Sequence, residues 1–174
     1  MDQEDLRQRF EQHMLPHLDA AWNLARWLMR NDQDARDVVQ EAYLRAWRFF
    51  DGFHGVQSRP WLLAIVRNAA FTWMEANRKD TRPLDPHGAD DPVDHASPEL
   101  LAESGDERAR VNRAIAALPP EFREVVVLRE LEDMSYRDIA AVVSIPIGTV
   151  MSRLSRARKL LAATLAGDTM EKSK

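Results

Sequence analysis

No cysteine occurs among the 174 residues. This excludes disulfides, thiolate nucleophiles and cysteine-type zinc sites from the chain. Long apolar runs are missing too: nothing approaches the ~18 residues that a spanning helix needs, so no membrane insertion is expected. The first residues, MDQEDLRQRFEQ, are polar and acidic, unlike a secretory signal, and a cytoplasmic location is the expectation. Glycine is sparse, with six in all. Neither G-x-x-x-x-G-K-S/T nor G-x-G-x-x-G is present to cradle a phosphate, and no nucleophile stands beside a base in a recognisable pattern. The chain is expected not to be an enzyme and to need no cofactor and no small-molecule substrate. His13 and His17 have the four-residue spacing of metal ligands, but Pro16 interrupts them and no third ligand is evident, so no metal site is expected.

A net positive charge is lacking, the 24 lysines and arginines being outnumbered by 28 acids for a net of −4, yet the distribution matters more than the sum. From Asp80 to Glu107 nine acidic residues face a single arginine, Arg82, a net of −8 that leaves +4 for the rest of the chain. Local basic surface is all that phosphate attraction requires.

One such surface lies in SYRDIAAVVSIPIGTVMSRLSRARKLL, residues 135–161, which contain no acid from Ile147 to Leu161. Ser135 with Asp138 three positions on has the form of a helix N-cap. Ile139, Ala140 and Val143 share one helical face. Ser144-Ile145-Pro146 breaks the pattern, since proline lacks an amide proton and biases its predecessor away from the helical region. In the next helix Val150, Leu154, Ala157 and Leu161 form an apolar stripe. Ser152, Ser155, Arg156 and Lys159 occupy the opposite side, with Thr149 and Arg153 at its margins. Arginine pairs bidentately with guanine or clamps a phosphate, and small hydroxyls permit close approach. A helix-turn-helix that reads DNA fits this pattern better than a merely solvated helical hairpin.

The amino-terminal part reads as further helices: about Asp5 to His13, Pro16 to Arg30, a third opened by an Asn31-Asp32 cap, and a fourth from Ser58 to Lys79. Expected inward positions are Leu18, Ala21, Trp22, Ala25, Leu28 and Met29, then Ala35, Val39, Ala42, Ala46 and Phe49, then Leu62, Ile65, Val66, Ala69, Trp73 and Ala76. Asp34, Asp37, Gln40 and Glu41 cluster on the outer side of the third helix, either as a solvated helix start or as a docking face for a basic partner. Residues 51–60 form a glycine-bearing loop with Phe53 and His54. Trp61, Asn68, Phe71 and Thr72 lie off the fourth helix's stripe, where aromatics beside amide, hydroxyl and basic groups suit stacking on unpaired bases, unless the rings are buried in a small bundle.

Four prolines, two glycines and the acid run mark residues 81–105 as a flexible linker. An unstructured stretch of that length sits poorly inside one domain. The expected architecture is therefore all-α: a helical domain over 1–80, the acidic linker, a second domain over 106–167 ending in the helix-turn-helix, and a disordered tail at 168–174. In the second domain Ala109, Val111, Ala114, Ile115 and Leu118 face inward, Pro119-Pro120 breaks the chain, and Glu121 to Leu131 is the next helix.

Taken together, DARDVVQEAYLRAW, RPWLLAIVRNAAF and LPPEFREVVVLRELEDMSYRDIAAVVSIPIGTVMSRLSRAR resemble, in this order, the motifs of sigma-70 family sigma factors of the extracytoplasmic-function (ECF) type. The resemblance covers about residues 10–165. It implies an alternative sigma factor that binds core RNA polymerase and directs promoter-specific initiation, in a stress or envelope response and under control of an anti-sigma factor. It implies docking of Asp34, Asp37, Gln40 and Glu41 on the clamp coiled coil of the beta-prime subunit, with the beta flap as a second contact. Phe53, His54, Trp61, Arg67, Asn68 and Thr72 fall where the family recognises and opens the minus-ten element and holds an extruded base. Thr149, Ser152, Arg153, Ser155, Arg156 and Lys159 fall where it reads the minus-35 element, Ser152 and Arg156 foremost. Two positions depart from the pattern: Ser144 stands at a corner often held by glycine, and Met151 where lysine or arginine is common. Two rival readings remain at this level: a helix-turn-helix regulator binding duplex DNA without polymerase, and a helical adaptor whose basic face is incidental.

Overall fold

The computed structural model describes residues 2–80 and 105–173, leaving aside the side chains of Lys79, Asp80 and Lys172. Among the described residues there are eight α-helices and no strand: α1 Gln3–Met14, α2 Leu18–Leu28, α3 Asp32–Phe49, α4 Ser58–Asp80, α5 Asp106–Ala116, α6 Pro120–Val126, α7 Tyr136–Val143 and α8 Ile147–Lys172. The expected linker lies almost wholly outside the described residues. None of the helices described is long and apolar enough to cross a membrane.

Local chemistry accounts for most helix ends. Asn31 caps α3, its side-chain oxygen accepting the Asp34 amide at 2.8 Å, and Ser135 caps α7 by accepting the Asp138 amide at 3.1 Å. Pro16 sits within a 3-10 turn, Leu15–His17, that joins α1 to α2. This tighter turn advances the phase of α2, so Leu18, expected inside, is exposed, while Ala21, Leu24, Ala25 and Leu28 are buried. The same happens after α3. Phe49 was expected to complete its stripe but is 61% exposed, and Phe50, in a 3-10 turn over Phe50–Gly52, takes the core position. Val111 and Ala76 also lie at the surface rather than inside.

In the amino-terminal half α2, α3 and α4 pack on one another around Leu24, Val38, Ala42, Leu62 and Val66, with α1 laid across them. Small residues at Ala21, Ala35, Ala42 and Ala46 are fully covered and let the helices approach closely. Tyr43 closes one end by donating its hydroxyl to the Met14 carbonyl at 2.8 Å, and burial pushes its pKa up to about 12. Phe10 meets Tyr43, Trp47 and Phe50 edge-on.

In the carboxy-terminal half α6 continues into a π-helical turn, Val127–Leu131, and Val125 to Leu128 are buried on every side. Helix α8 packs on α5, α6 and α7 through Val150, Leu154 and Ala157, as its stripe predicts. It then continues past Gly167 to Lys172, so residues 168–172 are helical where a disordered tail was expected.

The two halves are not separate bodies. Helix α4 packs against α7, and α2 against α6, so one core cluster runs from Met14 to Ala157.

Candidate nucleic-acid and polymerase interfaces

The axes of α7 and α8 turn through 98° at the Ser144–Pro146 corner. That is the angle range of a helix-turn-helix. Ser144 makes the corner by adopting the left-handed conformation, φ 58° and ψ 46°. A serine thus takes up the backbone shape that glycine adopts freely, and the Ile145 amide reaches back to the Ala140 carbonyl at 3.2 Å. The departure noted at this position leaves the turn intact.

Beyond the corner α8 presents Ser152, Ser155, Arg156 and Lys159 to solvent, with Thr149 half-buried. The Ser152 hydroxyl donates to the Gly148 carbonyl at 3.0 Å, leaving its oxygen lone pairs outward. Arg156 lies over the Phe122 ring, 5.8 Å from its centroid, which steers the guanidinium without enclosing it. Arg153 differs from these. It turns inward, its Nη1 4.0 Å from a carboxylate oxygen of Glu124.

On α3, Asp37, Gln40 and Glu41 are exposed along one side. Gln33 donates to Asp37 at 3.0 Å and Arg45 to Glu41 at 2.8 Å, both across single helical turns. Asp34 is half-buried and tied to the cap, accepting from the Asn31 amide group at 2.8 Å. Asp34 is thus held at the helix start, whereas Asp37, Gln40 and Glu41 lie along one open side, two carboxylates and an amide.

The candidate minus-ten residues separate into two groups. His54, Asn68 and Thr72 are exposed. Phe53 is not: at 4% exposure it is a core residue, packed against Phe50 at 5.6 Å, His13 at 5.7 Å and Trp61 at 4.9 Å between centroids. It was expected as a possible wall for an extruded base, but its ring faces are covered. Trp61 is half-buried for the same reason, and Phe71 carries the Arg67 guanidinium on its face at 3.9 Å. His17 accepts or donates at 2.9 Å to Ser58 at the start of α4. Its pKa is depressed by burial first, then by Arg59 and His13. Among the described residues no three candidate ligands gather as a metal site.

Two polar residues that periodicity passed over are fully buried: Arg123 and Glu124 of α6. Arg123 donates from Nη1 to the Trp27 carbonyl at 2.8 Å and from Nη2 to the Leu118 carbonyl at 2.7 Å. Burial lowers its pKa to about 10. Glu124 accepts from Arg67 twice, Nε at 2.8 Å and Nη2 at 3.2 Å. Burial pushes its carboxyl up, against the pull of Arg67 and then of Arg153. At the rim Glu132 accepts from Asn23 at 2.7 Å and from Arg59 at 2.9 Å. The only available hint was the position of Arg123 and Glu124 just ahead of the VVVL run, since a helix buried all round must find partners for its charges.

Comparison with known proteins agrees with this geometry. Residues 14–80 match the family model "Sigma-70 region 2" and residues 108–161 match "Sigma-70, region 4". The chain is 36% identical over 137 residues to the ECF RNA polymerase sigma-E factor of Escherichia coli K12, covering 74% of this chain and 72% of that protein. It is 31% identical over 156 residues to the ECF RNA polymerase sigma factor SigE of Mycolicibacterium smegmatis, covering 89% of this chain and 61% of that longer protein. Among solved structures it is similar to the sigma factor RpoE of Bartonella quintana in complex with the anti-sigma factor NepR. The TM-score there is 0.69 at 30% identity, over 91% of this chain and 98% of that one. It is also similar to CnrH in complex with the cytosolic domain of CnrY, with TM-score 0.66 at 27% identity, over 93% and 90%. With a right-angled helix-turn-helix in one half, an acidic strip and a candidate strand-opening helix in the other, and both halves matched in order, the chain belongs to the ECF sigma factors of the sigma-70 family.

Proposed function

We propose that this chain acts in the cytoplasm as an alternative sigma factor: it seats on core RNA polymerase, selects promoters and assists their opening. The observation that carries the reading is the right-angled α7–α8 pair, whose exposed face offers hydroxyls, Arg156 and Lys159 with no acid among them. Ser152 and Arg156 read or grip the minus-35 element, supported by Thr149, Ser155 and Lys159. Asn68 and Thr72, with His54 in the loop before them, contact the separated minus-ten strand, and Arg67 holds its backbone. Asp37, Gln40 and Glu41 dock on the beta-prime clamp coiled coil. Residues 1–80 and 106–167 are the working units, each with its own nucleic-acid surface, and an anti-sigma factor is the expected inhibitor. The chain supplies no catalytic group; the polymerase performs the chemistry.

Run-off transcription with reconstituted holoenzyme tests this directly. Core enzyme with this chain is expected to initiate at promoters that core enzyme alone ignores. Asp37→Arg with Glu41→Arg is expected to abolish capture of core enzyme. Arg156→Ala is expected to preserve capture while weakening promoter binding about 10-fold, the worth of one good contact. Binding of duplex DNA by the free chain at full strength, with no association to core enzyme, would instead favour a stand-alone regulator.

A further inference from the structure

Arg153 falls among the residues expected to meet the minus-35 duplex, yet it behaves unlike its neighbours. Arg156 and Lys159 stand exposed on α8, whereas the Arg153 side chain is only 28% exposed. It lies at the margin of the apolar stripe, three residues after the buried Val150 and one before the buried Leu154. From there its Nη1 reaches to 4.0 Å from Glu124, a wholly buried carboxylate on α6. A buried carboxylate is costly without a cation beside it. Arg67 of α4 also serves Glu124, but of the two arginines only Arg153 belongs to the same half as the carboxylate and to the duplex-reading unit itself. One turn further along the same flank, Arg156 rests over Phe122, again a residue of α6. Helix α6 therefore holds α8 at two points, by a charge and by a ring. Apolar burial of Val150, Leu154 and Ala157 sets the rotation of α8 only coarsely, because that force has no direction. An ion pair to one fixed point on α6 narrows it.

Resting on the reading above, we infer that Glu124 and Arg153 are positioning residues for minus-35 recognition. The buried carboxylate pins Arg153, the pin fixes the rotation of α8 about its axis, and Ser152 and Arg156 are thereby aimed at the duplex. Arg153 itself makes no contact with DNA.

The test is equilibrium binding of holoenzyme, across a range of salt, to a promoter duplex from which it initiates. The same duplex with its minus-35 sequence scrambled serves as reference. Arg153→Met is expected to weaken binding to the intact duplex about 10-fold, since contacts made by a misaimed α8 are lost. The slope of log K against log salt is expected to stay that of the parent. A slope shallower by about 0.9 would mean that Arg153 neutralises a phosphate, which overturns the inference. Glu124→Gln is expected to give the same loss, and the double variant no more than either single one. Losses that multiply to about 100-fold would show two independent roles and overturn it too. On the scrambled duplex both variants are expected to match the parent. An equal loss on both duplexes would mean that the substitutions merely damage the fold, and no loss on either would mean that nothing is positioned; each result overturns the inference. Should Glu124→Gln fail to fold, the part-exposed Arg153→Met decides the matter through its salt slope and the scrambled duplex. Failure of the underlying reading is separable: the parent holoenzyme would then bind the intact and scrambled duplexes alike, whatever the variants do.

Discussion

The Arg123 guanidinium lies 2.8 Å from the carbonyl oxygen of Trp27, ninety-six positions earlier in the chain, and a second arm of the same group satisfies the Leu118 carbonyl at 2.7 Å. The Trp27 carbonyl falls in the last turn of α2, where partial negative charge gathers, so a cation is well placed there. One side chain therefore organises the turn before α6 and joins the halves.

Arg123→Met is expected to destabilise the chain by about 3 kcal/mol, because two buried carbonyls lose charged donors. All five tryptophans lie in the amino-terminal half, between Trp22 and Trp73. Their emission therefore reports that half alone. In a urea titration the tryptophan midpoint is expected to fall although the substitution lies in the other half. An unchanged midpoint would show that Arg123 serves only its own turn.

The helix-turn-helix was the most legible part of the molecule, because its determinants are local. The Ser135 cap, the break at Pro146 and the Val150–Leu154–Ala157 stripe are each read within a few residues, and each is formed. Helix phase was less legible wherever a 3-10 turn intervened, which is why Leu18 and Phe49 turned out exposed and Phe50 buried. Phe53 was misplaced for a related reason: a loop residue is read as exposed unless its partners are known, and these come from α1, the 3-10 turn and α4. Glu124 was illegible in principle. Arg67 comes from α4 of the other half and Arg153 from a neighbouring helix of its own half, and no periodicity within one helix encodes either contact.

Ser144 gives a second prediction. Its φ of 58° costs a non-glycine residue about 1 kcal/mol. Glycine relieves that strain but adds chain entropy to the unfolded state, which offsets part of the gain. Ser144→Gly is expected to stabilise the chain by about 0.5 kcal/mol in a urea melt. The near-UV circular dichroism is expected to stay unchanged, since the corner already has the shape glycine prefers.

The His17 ring contributes an acid-sensitive element. Its folded pKa lies below the ordinary value of 6.5, chiefly through burial and then through Arg59 and His13. The unfolded chain therefore takes up the proton more readily, so this contribution is complete above about pH 6.5 and is lost as pH falls through the window beneath it. The Glu124 carboxyl, raised by burial, acts in the opposite sense: its burial cost is relieved as it is protonated. Comparing urea midpoints of the parent chain and His17→Gln at pH 7 and pH 5.5 isolates the histidine. The parent is expected to lose more stability between the two values than the variant does.

Met151 tests how α8 meets DNA. It is 51% exposed, one residue after the buried Val150 and beside Ser152, in a stretch of α8 whose other exposed residues up to Lys159 are hydroxyls and cations. A lysine there would have a short reach to the duplex backbone if this end of α8 enters the major groove. Each phosphate neutralised releases counterion and steepens the dependence of log K on log salt by about 0.9. Met151→Lys holoenzyme is therefore expected to bind promoter DNA more tightly at low salt, with the salt slope steeper by about that amount and promoter preference unchanged, since a phosphate contact carries no base information. A steeper slope with altered preference would put position 151 against a base edge. An unchanged slope would mean that α8 is rotated about its axis, so that Arg156 and Lys159 face the groove while residue 151 stays in solvent.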